Sequence, residues 1–353
     1  MKSLYIMGAP GSGKTVVALG LAQKMKQEGY QVGYFKPVAA NDRKLIGRQD
    51  QDAMLMKEVL DLKAPLEKIA PVTANPFYLS AQATMKDARR MIKEAYDEVS
   101  EGVDILLVDG ALSIDILSSL SIDCISLAKE IGAMALLVLK VENDYSLDNA
   151  IFLNKHLLLE GIRVTGAVFS NVPRPLYAKT DGVYRPIMEK AGYKILGTFP
   201  TRPEIAAPTV GEYHDILGGE ILSSPDRLNL LVEDVVIGAM TISSALTYLR
   251  RAANKAVILG GDRADMALAA LETSTSVLIL TGGLYPDVKV IARAEEMGVP
   301  IILVHYDTYT TIERLSQVSR HIHPSDKESV QVALENIEKY CDWRYVLNSL
   351  QEG

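Results

Sequence analysis

The chain has 353 residues, of which 48% are apolar and 23% charged, and a formal net charge of −7. At roughly 100–200 residues per domain, that length implies two domains or one large one of ordinary globular composition. The acidic balance argues against a nucleic-acid partner, and no apolar run reaches the roughly 18 residues needed to span a bilayer.

Along the chain, short apolar runs alternate with longer amphipathic stretches, the pattern of a mostly parallel sheet wrapped by helices. Leu4–Met7 is the first run. It leads straight into a glycine loop, so the amino terminus reads as a strand and not as a signal segment. Thr15–Glu28 follows with apolar residues at Val16, Val17, Leu19, Leu21 and Met25, and Gly29 supplies a helix stop. Gln31–Phe35 is a second strand. Ile105–Val108 and Ala135–Lys140 are near-continuous apolar runs, as strands buried on both faces should be. Val164–Phe169 and Ile195–Thr198 complete the set, with helical patterns at Asp52–Leu62, Met85–Glu98 and Asn149–Leu159. Pro200, Pro203, Pro208 and Pro225, together with Gly211, Gly218 and Gly219, then break the pattern, which places a connection near residues 200–227. A second α/β series begins near Leu228. Its strands read at Asp234–Ile237, Ala256–Leu259, Ser276–Leu280 and Pro300–Val304, and its helices at Ser243–Ala252, Ala264–Glu272, Val288–Glu296 and Tyr309–Ser319. The tail from Lys327 to Leu350 is helical and amphipathic. The resulting division is 1–220, 221–325 and a tail over 326–353.

Gly8-Ala9-Pro10-Gly11-Ser12-Gly13-Lys14-Thr15 matches G-x-x-x-x-G-K-[ST] in full, between a strand and a helix. The glycines, Gly8, Gly11 and Gly13, let backbone N–H groups around Ser12 curl about phosphate oxygens, and the helix presents its N-terminal N–H groups to the same anion. Lys14 is placed to reach β- and γ-phosphates, and the Thr15 hydroxyl to ligate magnesium. A nucleoside triphosphate, ATP, and Mg2+ are therefore the expected cofactors. Asp109 closes the apolar strand Leu106-Leu107-Val108, the usual place for a carboxylate on the metal; the alternative is an acidic turn cap. Asp52 opens a helical stretch and reads equally as a second metal carboxylate or as a simple N-cap. Lys36, before Pro37 at the end of the second strand, sits on the edge where open α/β sheets bind ligands. There it either stabilises a transferring phosphoryl group, as a catalytic partner to Lys14, or is an exposed lysine before a proline. Asn171 ends another strand and reads either as a base-contacting amide or as a turn residue.

The second series offers Gly260-Gly261-Asp262-Arg263, Thr281-Gly282-Gly283 and His305-Tyr306-Asp307, each after an apolar strand and so on one sheet edge. Asp262, Arg263, Thr281 and His305 are candidate ligand residues, with Arg263 able to grip an anion in a bidentate way; ordinary turn and cap chemistry is the other reading. Cys124 and Cys341 lie far apart without metal-type spacing, which points to a reducing cytoplasm. His321 and His323 lack a third ligand nearby and read as a solvated loop pair.

The order of the P-loop, Tyr34-Phe35-Lys36-Pro37-Val38, the helix-opening Asp52, the strand-end Asp109 and Asn171-Val172 resembles the dethiobiotin synthetase-like branch of P-loop proteins over about residues 1–220. The resemblance implies phosphate contacts from Lys14 and Lys36, magnesium ringed by Thr15, Asp52 and Asp109, and Asn171 near the base. Ala9-Pro10-Gly11 lacks the Thr and acidic groups that hold the diamine in true dethiobiotin synthetases. Ala9 also stands where MinD-like relatives carry a second lysine. Residues 228 to about 320, with Gly238-Ala239-Met240, Gly261-Asp262-Arg263-Ala264-Asp265 and Thr281-Gly282-Gly283, resemble the DRTGG domain. The two modules in this order resemble the N-terminal half of long phosphate acetyltransferases, and the chain is expected to be a stand-alone version of that half. Two functions follow as expectations: a regulatory or partner-directed ATPase with a ligand-sensing second domain, or an ATP-dependent ligase acting on a small carboxyl-type substrate. A homo-oligomer with a small-metabolite ligand or protein partner is expected.

Overall fold

Strands buried on both faces need helices on both faces, and crossover helices make neighbouring strands parallel. The chain follows this rule twice. A computed structural model describes residues 1–40, 50–75, 77–81, 87–111, 113–316, 318 and 320–352. These fall into two units, Met1–Ile205 with Ile322–Gly353, and Ala206–His321.

The strands of the first unit are β1 (Lys2–Gly8), β2 (Val32–Phe35), β3 (Val38–Ala40), β4 (Val72–Ala74), β5 (Ile105–Asp109), β6 (Met134–Lys140), β7 (Val164–Val172) and β8 (Ile195–Pro200). Six of them form a parallel sheet in the order β2-β5-β1-β6-β7-β8, and β3 and β4 pair separately. The order reverses at β1, so the crevice at its carboxyl end is the position where such sheets take ligands. Each expected strand is present. β3 and β4, three residues each, fell below what apolar runs reveal. The helix expected at Asn149–Leu159 begins earlier, at Asp144, because Asn143 caps it by accepting from Ser146 N. The helix expected from Met85 runs over Ala88–Val99, with Met85 and residue 86 outside the described residues.

The second unit holds β9 (Glu220–Ser223), β10 (Asp234–Ile237), β11 (Lys255–Gly260), β12 (Thr275–Thr281) and β13 (Ile301–Leu303), in the order β10-β11-β12-β13-β9. Only β9 is antiparallel, running against β13. The stretch expected to be a connection is built structure. Thr209 and Glu212 form a reciprocal cap on helix Val210–Leu217, and β9 follows it. Helix Thr308–Leu315 answers the pattern read to Ser319; residue 317 and Ser319 lie outside the described residues.

The first helix, α1 (Lys14–Gln27), is buried nearly all round. One face packs on the sheet. The other meets helix Lys327–Tyr340, while helix Trp343–Glu352 packs on β1 and β7; their Ala333, Ile337, Trp343 and Val346 join the core of Leu4, Ile6, Val17 and Leu21. The C-terminal segment therefore returns to the first unit. Among the described residues no helix is long and apolar enough to cross a membrane.

Candidate functional site

Between β1 and α1 the chain turns on two left-handed glycines, Gly11 at φ 64° and Gly13 at φ 86°. A Cβ on Gly8 would stand 2.4 Å from the Val138 carbonyl oxygen, and one on Gly13 would stand 2.9 Å from Ser170 Oγ. Gly13 caps α1 and, as a glycine, offers no side-chain acceptor to the first N–H groups of the helix. The buried Ser12 hydroxyl has no hydrogen-bond partner among the described residues. Lys14 Nζ donates to the Gly8 and Ala9 carbonyls, both at 3.1 Å, and so closes the loop on itself. Burial lowers its pKa, with Asp109 opposing.

Asp109 lies at the end of β5, paired in register with Ile6 of β1, beside the loop. It is 1% exposed. Its Oδ2 accepts from Thr15 Oγ1 at 3.0 Å and from Tyr34 OH at 2.8 Å, while its buried Oδ1 has no partner among the described residues. Burial raises its pKa and Asp52 adds to this; Lys36, Lys14 and the Tyr34 hydroxyl oppose. Burial and the same carboxylate push the Tyr34 phenol well up, so it stays a donor.

Lys36 is buried and not the exposed lysine of the alternative reading. Its Nζ stands 2.5 Å from Asp52 Oδ2 and 3.1 Å from Asp50 Oδ2. Burial alone would lower its pKa, but Asp52, Asp50 and Asp109 together hold it well above the ordinary value. Asp50 is the N-cap of α2 (Gln51–Leu60), accepting from Ala53 N at 2.8 Å. The capping role therefore falls to Asp50, and Asp52, two residues on, turns its carboxylate to Lys36. Asn171 interrupts the β7–β8 register at φ 54°, a left-handed conformation that Asn tolerates, and its buried carboxamide oxygen has no partner among the described residues. Thr15 with Asp109 and Lys36 with Asp52 are thus in direct contact in the first unit, and Lys14, Lys36 and Asp52 all act on Asp109 electrostatically. Tyr34 and Asp50 are the members that motif reading missed. The alternation Tyr34-x-Lys36 was the available signal, since residues two apart on a strand share a face.

A buried metal carboxylate needs a donor set around it. Among the described residues no group of three or more His, Cys, Asp and Glu side chains is placed to hold an ion. Thr15 and Asp109 fit magnesium held jointly with phosphate oxygens, because Asp109 Oδ1 is an anionic oxygen without a hydrogen-bond partner. Beside Gly8–Pro10 opens a cavity of about 1170 Å³, bordered also by Ser113, Lys129, Phe152 and His156.

In the second unit, Arg263 donates to the Met240 carbonyl at 3.0 Å and the Gly238 carbonyl at 3.4 Å, and pairs with Asp265 at 3.3 Å. It ties down the turn after β10, which is the turn-chemistry alternative. Thr281 Oγ1 lies 3.2 Å from Thr308 Oγ1. His305 packs on Gly283, where a Cβ would come 2.8 Å from Nδ1. Asp262 folds its carboxylate back towards Gly260. Among the described residues no side-chain hydrogen bond or ion pair joins these four residues to one another.

The chain belongs to the AAA domain family, whose model matches residues 2–209. A DRTGG domain matches residues 212–318. The architecture is therefore a P-loop NTPase domain followed by a DRTGG domain, as the motif order implied. Phosphate acetyltransferase of Pseudomonas putida is 25% identical over 350 residues, which cover 94% of this chain and 49% of that enzyme. The chain spans about half the length of the curated relatives of this kind that it matches. ATP-dependent dethiobiotin synthetase BioD of Methanocaldococcus jannaschii is 28% identical over 176 residues, 47% of this chain and 78% of that one. Among solved structures, the septum site-determining protein MinD of Pyrococcus horikoshii with Mg-ADP is similar at a TM-score of 0.36 and 18% identity. That match covers 58% of this chain and 83% of that one.

Proposed function

We propose that this member of the AAA domain family binds ATP with magnesium at Gly8–Thr15 and acts as a regulatory or partner-directed ATPase, with the 206–321 unit as its ligand-sensing module. The observation that carries the reading is the junction of Thr15 with Asp109, whose second oxygen is buried without a partner, beside the Lys14 loop. On binding, Lys14 exchanges the Gly8 and Ala9 carbonyls for β- and γ-phosphate oxygens. Thr15 and Asp109 hold magnesium, with Asp52 behind Lys36. Lys36 supplies positive charge at the γ-phosphate, and Asn171 lies near the base. Magnesium neutralises charge on the phosphates and orients them. A cytoplasmic homo-oligomer belongs to the same reading. Binding of a fluorescent ATP analogue to wild type and to Lys14→Ala tests it. A loss of at least tenfold in the variant is expected, and equal affinity removes the site assignment. Turnover is expected to be slow and to respond to a ligand of the second unit.

A ligase reading has one specific support, the cavity bordering Gly8, Ala9 and Pro10, which gives a second substrate room beside the phosphates. It predicts that release of ADP and phosphate depends on a small carboxylic acid. Hydrolysis that no acid in a broad panel alters would exclude it.

A further inference from the structure

Tyr34 sits on β2 opposite Leu107 of β5. Laterally paired residues share a sheet face, and so do Leu107 and Asp109, two positions apart. Two residues of strand rise about 6.6 Å, a length that a tyrosine leaning along the strand can span. Its phenol reaches Asp109 Oδ2 at 2.8 Å, and the side chain is 1% exposed. Thr15 Oγ1 gives its one proton to the same oxygen at 3.0 Å. A carboxylate offers about four acceptor directions. Two neutral donors on Oδ2 fix the plane of the group and leave Oδ1 unfilled. They also leave the Thr15 lone pairs uncommitted to this contact, since its proton is already given.

We propose that Tyr34 is the positioning residue of the metal site: its hydroxyl pins Asp109 so that Oδ1 and the Thr15 oxygen are presented together to magnesium. The inference rests on the magnesium–nucleotide reading above. Without the phenol, Asp109 keeps only the Thr15 donor on Oδ2, and the carboxylate can turn toward the ammonium groups of Lys14 and Lys36, both of which act on it electrostatically.

The test is Tyr34→Phe, which keeps the ring and its packing. Fluorescent ADP is titrated into the full chain in EDTA, and magnesium is then titrated into the complex. The concentration of magnesium at half-saturation is expected to rise about tenfold, a size within reach of one hydrogen bond to a charged group, with nucleotide affinity in EDTA and the melting temperature nearly unchanged. Electron paramagnetic resonance of Mn2+ in place of magnesium reads the same shift without any turnover. Equal half-saturation in wild type and variant overturns the inference. An equal loss of affinity with and without metal also overturns it, because Tyr34 would then support the loop and not the metal oxygen. If wild type shows no metal-dependent nucleotide binding, the nucleotide reading itself fails and the inference with it. If Tyr34→Phe does not fold, Tyr34→Met removes the phenol while keeping apolar bulk, and the same outcomes apply.

Discussion

Lys36→Met tests whether the site is held together by charge before any nucleotide arrives. Lys36 Nζ is 2.5 Å from Asp52 and 3.1 Å from Asp50, and side-chain exposure is 10% for Lys36, 10% for Asp50 and 21% for Asp52. Removing one member of a buried ion pair leaves an uncompensated charge, which costs about 3–5 kcal/mol. The partial exposure of Asp52 sets the expectation at the lower end, about 3 kcal/mol. For a unit of this size that corresponds to a fall in melting temperature of roughly 6–12 °C, at about 2–4 °C per kcal/mol. The sign is settled by Lys36's raised pKa: the ammonium's contribution is fully present at neutral pH and is lost only as pH climbs through the raised folded value. Thermal unfolding of the nucleotide-free protein near pH 7, followed by circular dichroism, measures the effect. Lys36→Met combined with Asp52→Asn is expected to recover about half of the loss, since contacting residues are coupled. A single variant that melts within about 2 °C of wild type, less than the shift expected for 1 kcal/mol, would refute the reasoning.

Gly20→Ala normally favours a helix by about 1 kcal/mol. Here the added Cβ would stand 2.3 Å from the Ala333 carbonyl oxygen and 2.6 Å from Ile337 Cγ1. Overpacking costs about 1–3 kcal/mol, so denaturant unfolding should show net destabilisation, and a stabilised variant would contradict the helix contact. Burial pushes the Cys124 thiol up to about 11 from an ordinary value of 9.0. The folded state therefore keeps a proton that the unfolded chain releases, and stability should fall as pH rises from about 9 to about 11, by roughly 3 kcal/mol at 1.36 kcal/mol per unit. Urea unfolding across that range should show a flatter alkaline limb in Cys124→Ala; limbs of equal slope would assign the loss to other groups.

The P-loop was legible because its chemistry demands fixed residues at fixed spacing, and Asp109 because it closes an uninterrupted apolar strand. Tyr34 was not, for a topological reason. Its contact depends on β2 lying beside β5, whereas the residues between them in sequence give no sign that these strands are neighbours. The division of labour between Asp50 and Asp52 was hidden by two residues of uncertainty in where α2 begins. Asp50 takes the cap, so Asp52 falls within the helix and its carboxylate meets Lys36. In the second unit the sequence left Arg263 open between an anion grip and ordinary turn chemistry. The nearby carbonyls of Gly238 and Met240, which no local pattern announces, take its donors.

The C-terminal segment shows how a pattern can be clear while its partner is not. Its amphipathic repeat requires a surface to cover, and Val332, Ala333, Ile337, Trp343 and Val346 are buried as that repeat demands. For Lys327–Tyr340 the surface is α1, the helix that begins with Lys14 and Thr15, and for Trp343–Glu352 it is the sheet at β1 and β7. Gly20 lets the Ala333 carbonyl approach, Lys24 pairs with Glu338 at 3.0 Å, and the Lys24 ammonium lies 4.9 Å from the Trp343 ring. A helix packed against a sheet on one side and against helix Lys327–Tyr340 on the other cannot shift without opening close-packed contacts. α1 is therefore a fixed base under the loop that carries Lys14, held by the sheet below it and by helix Lys327–Tyr340 above it.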